Sequence, residues 1–130
     1  MTDPERGRQV LAELRWLGVR TSIDDYGTGY SSLAYLRHLP ADELKLDRSL
    51  TADVGTDRRA AAIVEHTVAL AQALGLSLVA EGVEDDATAA TLAALGCDVA
   101  QGFAIARPMP VADFRAWLSA PRAALLDRQR

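Results

Sequence analysis

An α/β fold of parallel β/α units, amounting to half of an eight-stranded β/α barrel, follows from three observations in the 130-residue sequence. A helix ending in Leu-Gly, a short apolar strand and then polar residues recur at Leu17-Gly18, Leu74-Gly75 and Leu95-Gly96. Helices and strands that alternate in this way imply parallel strands joined by crossover helices. An acid or amide stands where each strand stops, which is where a β/α barrel places its active site. Only four strands fit in the chain, whereas a closed barrel usually takes about 250 residues.

The elements follow in order. Asp3 before Pro4 reads as an N-cap with proline at the first helical position, so a helix begins almost at once. Val10, Leu11 and Leu14 are its apolar positions and Gly18 its left-handed stop. The first strand is expected over 19–24, a short helix over 31–39 stopped by Pro40, and the second strand over 43–47. Ile63, Val64, Thr67, Val68, Ala71 and Leu74 form one stripe of a longer helix leading to a third strand over 76–81. A fourth strand is expected over 97–101, and Val111, Phe114 and Leu118 after Pro110 give a last amphipathic helix. One domain or one piece of a larger domain, by strand count a half-barrel, therefore occupies 1–120, and the polar stretch 121–130 reads as a frayed tail.

Successive side chains of a strand point to opposite sides. One face then carries Ser22, Asp24, Lys45, Asp47, Ser77, Glu81 and Gln101, and the other carries Ile23, Leu44, Leu46, Leu78, Ala80 and Ala100. An open doubly wound sheet would bury both faces under helices and tolerate such a polar series poorly, so a barrel interior is the better fit.

Composition narrows the function classes. At 49% hydrophobic and 25% charged residues the chain is of globular type. The formal charge of −4 and the lack of a dense Lys/Arg cluster argue against DNA as a partner. No apolar run approaches the ~20 residues of a membrane span, and the first residues lack a basic segment followed by an apolar one, so a cytoplasmic protein with no membrane partner is expected. Cys97 is the single cysteine and reads as a small buried thiol.

Chemistry concentrates at the strand ends. Adjacent carboxylates such as Asp24 and Asp25 are costly to keep ionised together unless a cation lies between them, and hard divalent ions favour such oxygen ligands. Asp25 is expected to turn toward the same spot because the strand ends there and Gly27 and Gly29 let the loop bend; a helix cap at Ser31 is the plainer role. Lys45 and Asp47 share a face, either as a phosphate-holding lysine oriented by Asp47 or as a buried salt bridge. Glu81 could serve as general base or metal ligand, Glu84 as a loop acid or helix-start residue, and Gln101 as a donor to a phosphate oxygen. His38 and His66 fall on helices away from the strand ends, no Gly-rich phosphate loop is present, and Ser31-Ser32 lacks a nucleophile setting.

Five blocks, in order, resemble the second half of EAL domains: Ile23-Asp24-Asp25-Tyr26-Gly27-Thr28-Gly29-Tyr30-Ser31-Ser32-Leu33, Leu44-Lys45-Leu46-Asp47, Ala80-Glu81-Gly82-Val83-Glu84, Gly96 through Gly102-Phe103, and Arg107-Pro108-Met109-Pro110. The resemblance implies the C-terminal half of a TIM-like (β/α)8 barrel and metal-dependent hydrolysis of cyclic di-GMP to the linear dinucleotide with Mg2+ or Mn2+. By that likeness Asp24 and Asp25 are metal ligands, and Lys45 and Glu81 are catalytic. Gln101, Asp47 and Pro108 then lie at the substrate, and Gly27, Thr28, Gly29, Ser31 and Glu84 belong to a regulatory loop. The Glu-Ala-Leu signature and its companion ligands belong to the N-terminal half and have no counterpart in this sequence. Weak metal binding and little activity of this chain alone are therefore expected, with an EAL-type or self partner completing the barrel. A non-catalytic interaction or regulatory module of cyclic-di-GMP signalling, or a truncated gene product, are the alternatives.

Overall fold

The computed structural model describes residues 3–26 and 33–120, without the side chains of Asp25, Tyr26, Leu33 and Ala34. Helix α1 (Pro4–Trp16) starts where the sequence places it: the Asp3 carboxylate accepts the Arg6 N–H at 3.1 Å. Its exit consumes several residues, because the Gly18 N–H bonds the Arg15 carbonyl and the Val19 N–H bonds the Leu14 carbonyl. Strand β1 (Ser22–Tyr26) therefore begins later than expected and runs on through the acidic pair. Helix α2 (Leu33–Leu36) ends before Arg37, short of the expected 39, and the chain leaves it through a turn in which the His38 and Leu39 N–H groups bond the Tyr35 and Leu36 carbonyls.

Strand β2 (Glu43–Leu46) is followed by a four-residue helix, α3 (Arg48–Thr51), that the strand-and-stripe reading passed over, and then by α4 (Arg58–Leu74). Strand β3 (Ser77–Ala80), α5 (Asp86–Leu95), β4 (Val99–Ala100) and α6 (Val111–Ser119) complete the order. The four strands form one parallel sheet in the order β1-β2-β3-β4. Residues 121–130, read as a tail, lie outside the described residues.

Burial follows the strand alternation. Leu44, Leu46, Leu78 and Ala80 are fully buried on the outer face, where they join Val64, Val68 and Ala71 of α4 and Leu92 of α5 in the core. The inner face is less uniformly polar than expected: the row above Ser22, Glu43 and Ser77 sets Lys45 beside Val79 and Val99. At the opposite end from the strand termini, two aspartates pin the register in the same way. The Asp42 N–H bonds the Thr21 carbonyl while its carboxylate takes the Thr21 N–H at 2.9 Å, and Asp98 repeats this with Leu78.

Candidate active site

The acidic pair owes its place to a β-bulge. Ile23 pairs with Leu44 and Tyr26 with Leu46, so Asp24 and Asp25 together stand opposite the single residue Lys45. A bulge sets two residues against one and bends its strand, and it occurs most at edges and beside active sites. The expected explanation, a strand that stops at Asp24 and a loop that carries Asp25 round, is replaced by this irregularity within the ladder. Asp24 is exposed, and the side chain of Asp25 is outside the described set.

Lys45 faces the neighbouring strand, where its ammonium lies 3.3 Å from the Glu81 carboxylate, each side chain about a quarter exposed (25% and 21%). Glu81 is held there by two backbone bonds. Its N–H continues the ladder to the Leu46 carbonyl at 3.0 Å, and its carbonyl accepts the hydroxyl of fully buried Thr51 at 2.7 Å. Asp47, expected to orient Lys45, is engaged elsewhere: it is the N-cap of α3 and takes the Ser49 N–H at 2.9 Å. Hydrogen bonds from the Ser49 side chain and backbone hold its carboxyl below the ordinary aspartate range.

The strand-end loops are fastened to one another through two glycines. At Gly82 (φ +68°) an added Cβ would lie 2.6 Å from Cγ of Arg48, whose guanidinium pairs with Glu84 at 2.8 Å. At Gly102 it would lie 2.3 Å from the Val83 carbonyl oxygen. The close approach lets the Val83 N–H reach the Gln101 carbonyl at 3.1 Å, while the Gln101 N–H bonds Ala80 at 2.8 Å. Beyond it, Pro108 lines a cavity of about 400 Å³ with Gln101, Phe103, Phe114 and Trp117. The Arg107 guanidinium lies 4.5 Å from the centre of the Phe103 ring.

The structure thus brings Lys45 and Glu81 into contact, sets Asp24 and Asp25 opposite Lys45 in register, and turns Asp47 to a capping role. Gly27, Thr28, Gly29 and Ser31 lie outside the described residues. Glu84 pairs with Arg48. Cys97 packs against the core as a partly buried residue, less enclosed than the expected buried thiol, and burial followed by the neighbouring Asp98 pushes its thiol up to about 11. His66 is exposed, its Nδ1 2.7 Å from the Ala62 carbonyl oxygen on its own helix. Thr51 and Arg48 were missed. The Asp-Arg-Ser-Leu-Thr run carried a signal in its leading aspartate, a preferred N-cap, but nothing in one sequence marks Thr51 as the anchor of Glu81.

Parallel strands alternating with helices, with an amine–carboxylate pair and an acidic bulge at the C-terminal ends of the strands, define part of a β/α barrel. The chain belongs to the EAL domain family, whose model matches residues 1–108. It is 50% identical over 110 residues to the bifunctional diguanylate cyclase/cyclic di-GMP phosphodiesterase MucR of Pseudomonas aeruginosa, covering 85% of this chain and 16% of MucR. Among solved structures it resembles the MucR phosphodiesterase in complex with c-di-GMP, with a TM-score of 0.80 and 48% identity over 88% of this chain and 46% of that one. The EAL domain of Mycobacterium smegmatis DcpA gives a TM-score of 0.85 and 44% identity, over 92% and 55% respectively. The chain therefore spans about half of each of these two solved chains and a small part of the curated relative, and it matches a partial EAL domain.

Proposed function

We propose that this chain supplies the C-terminal half of a cyclic-di-GMP phosphodiesterase site acting in the cytoplasm, with the remaining ligands coming from a complementing EAL-type half. The observation that carries the reading is Lys45, paired with Glu81 on one side and standing opposite the Asp24-Asp25 bulge in register on the other. A lone unpaired cysteine suits a reducing compartment, and no helix among the described residues is long and apolar enough to cross a membrane.

The donor chemistry fits a hard divalent cation such as Mg2+ or Mn2+, since Asp24 and Asp25 offer carboxylate oxygens. The number is short: among the described residues no three His, Cys, Asp or Glu side chains converge as a metal site. When bound, the ions would polarise the phosphodiester and lower the cost of its developing charge. The chain's own residues do the rest. Lys45, held in place by Glu81, donates to a non-bridging phosphate oxygen and offsets charge as water adds. Glu81 accepts the proton of that water. A new P–O bond forms to the water oxygen, the opposite ester P–O bond breaks, and the departing sugar oxygen takes up a proton, leaving the linear dinucleotide. Gln101 and Pro108 border the space where the substrate lies, and Asp47 acts through α3 rather than on the phosphate.

The test is hydrolysis of cyclic di-GMP by the completed barrel with Mn2+. Lys45→Ala and Glu81→Gln should each cut turnover by roughly 10²–10⁴-fold without loss of assembly. A completed barrel that binds the dinucleotide and never cleaves it overturns the catalytic reading and leaves a binding module in its place.

A further inference from the structure

Glu81, the base of the proposed reaction, is secured through both of its backbone groups, and so is Val83 beyond it. The Glu81 N–H bonds the Leu46 carbonyl and its carbonyl accepts the Thr51 hydroxyl, while the Val83 N–H bonds the Gln101 carbonyl and its own carbonyl accepts the Ala104 N–H at 2.9 Å. Between these fixed points stands Gly82 at φ +68°. Glycine moves between backbone regions more freely than any other residue, so Gly82 is a joint through which the end of β3 could swing. A side chain from another element lies on that joint. Arg48, the first residue of α3, sets its Cβ, Cγ and Cδ at 2.7, 2.6 and 3.1 Å from the place a Cβ on Gly82 would take. The Arg48 stem thus fills the space that a side chain at position 82 would claim, and it blocks rotation of the joint toward α3. Its guanidinium pairs with Glu84 at 2.8 Å, two residues past the joint, and keeps the segment from drawing away.

We propose that Arg48 is a positioning residue for the reaction: by filling the side-chain space of Gly82 and holding Glu84, it fixes the Glu81 carboxylate beside Lys45. Helix α3 is the bracket through which it acts. Strand β2 carries Lys45 and leads through the Asp47 cap into α3, and α3 meets the exit of β3 at both of its ends, with Arg48 on Gly82 and Thr51 on Glu81. The 3.3 Å separation of the Lys45 ammonium and the Glu81 carboxylate depends on where that exit stands relative to β2. Folding stability is not what the contact supplies. The Arg48 and Glu84 side chains are 66% and 50% exposed, and an ion pair in that setting contributes little to stability. The stem acts through Gly82 and the charge through Glu84, so a lysine, which keeps a long stem and a cation, preserves the device and an alanine removes it. The inference rests on the catalytic reading of Glu81 and deepens it with a residue that acts through another.

The experiment reads turnover of cyclic di-GMP by the completed barrel with Mn2+ and, separately, backbone order in the 130-residue chain by nitrogen-relaxation NMR. Arg48→Ala should lower kcat roughly 10- to 100-fold, the scale on which a misplacement of about 1 Å acts, and leave KM within about twofold. Arg48→Lys should recover most of kcat. The Gly82 amide should show an order parameter of about 0.85 in the parent and fall below about 0.6 in Arg48→Ala, while the unfolding midpoint stays near that of the parent. A parent barrel that binds the dinucleotide without cleaving it overturns the catalytic reading and this inference with it. With an active parent, four results overturn the inference alone: an Arg48→Ala form at the parental rate, a rise in KM in place of the fall in kcat, an Arg48→Lys form as slow as the alanine form, or a Gly82 amide equally ordered in both chains.

Discussion

Replacing Thr51 by valine keeps the shape of a fully buried side chain and removes its one hydrogen-bonding oxygen. In the native chain that hydroxyl donates to the Glu81 carbonyl at 2.7 Å, with a longer 3.3 Å approach to the Arg48 carbonyl. Valine leaves the Glu81 carbonyl without this donor, a loss of about 1–3 kcal/mol for a buried polar group. The added methyl returns about 0.8 kcal/mol through burial, so a net destabilisation of about 0.2–2.2 kcal/mol remains. With a urea slope of about 1.5 kcal/mol/M, the unfolding midpoint should fall by roughly 0.1–1.5 M with the slope unchanged. Thr51→Ser retains the donor and should keep the Glu81 anchor while losing only the packing of one methyl group. A Thr51→Val chain as stable as the parent would refute the view that this hydroxyl fixes the end of β3, and with it the account of how Glu81 is presented to Lys45.

Three further outcomes follow from the geometry. Gly102→Ala would drive a Cβ to 2.3 Å from the Val83 carbonyl oxygen and 2.5 Å from its nitrogen; both are backbone atoms with no side chain to yield, so a loss of about 2–5 kcal/mol is expected in a denaturant titration. Asp98→Ala leaves the Leu78 N–H without its carboxylate partner and should cost about 1–2 kcal/mol, whereas Asp98→Asn keeps an acceptor and should cost less by the same measurement. The Cys97 thiol, raised from 9.0 to about 11, should react with iodoacetamide near pH 8 roughly 100-fold more slowly than a free thiol, because that displacement lowers the thiolate fraction by two decades. Since the unfolded thiol ionises first, its folded-state contribution is complete below about pH 9 and declines as pH rises toward 11. A rate equal to that of a model thiol would show that Cys97 is not buried as described.

What the sequence could and could not reveal divides along the range of the interactions. Helix starts and stops at Asp3, Gly75 and Gly96 were legible because caps are written within a few residues, and the outward row of Leu44, Leu46, Leu78 and Ala80 was legible because alternation has a period of two. Lys45 and Glu81 could be assigned to one face from that alternation, but their contact depends on the pairing of β2 with β3 across more than thirty residues of chain, which periodicity does not encode. The bulge at Asp24 and Asp25 was invisible for the same reason. A bulge exists only relative to the partner strand, so a strand read in isolation looked as if it had to end where it merely slipped. Asp47 shows the opposite error: its place on the polar face suggested a role toward Lys45, and the stronger local demand came from the unpaired N–H groups opening α3. The acidic pair, the lysine and the glutamate are therefore held by strand pairing, whereas Asp47 is held by its own helix. Perturbing the β1–β2 register should accordingly displace the acidic pair from Lys45 while leaving the Lys45–Glu81 contact and the Asp47 cap in place.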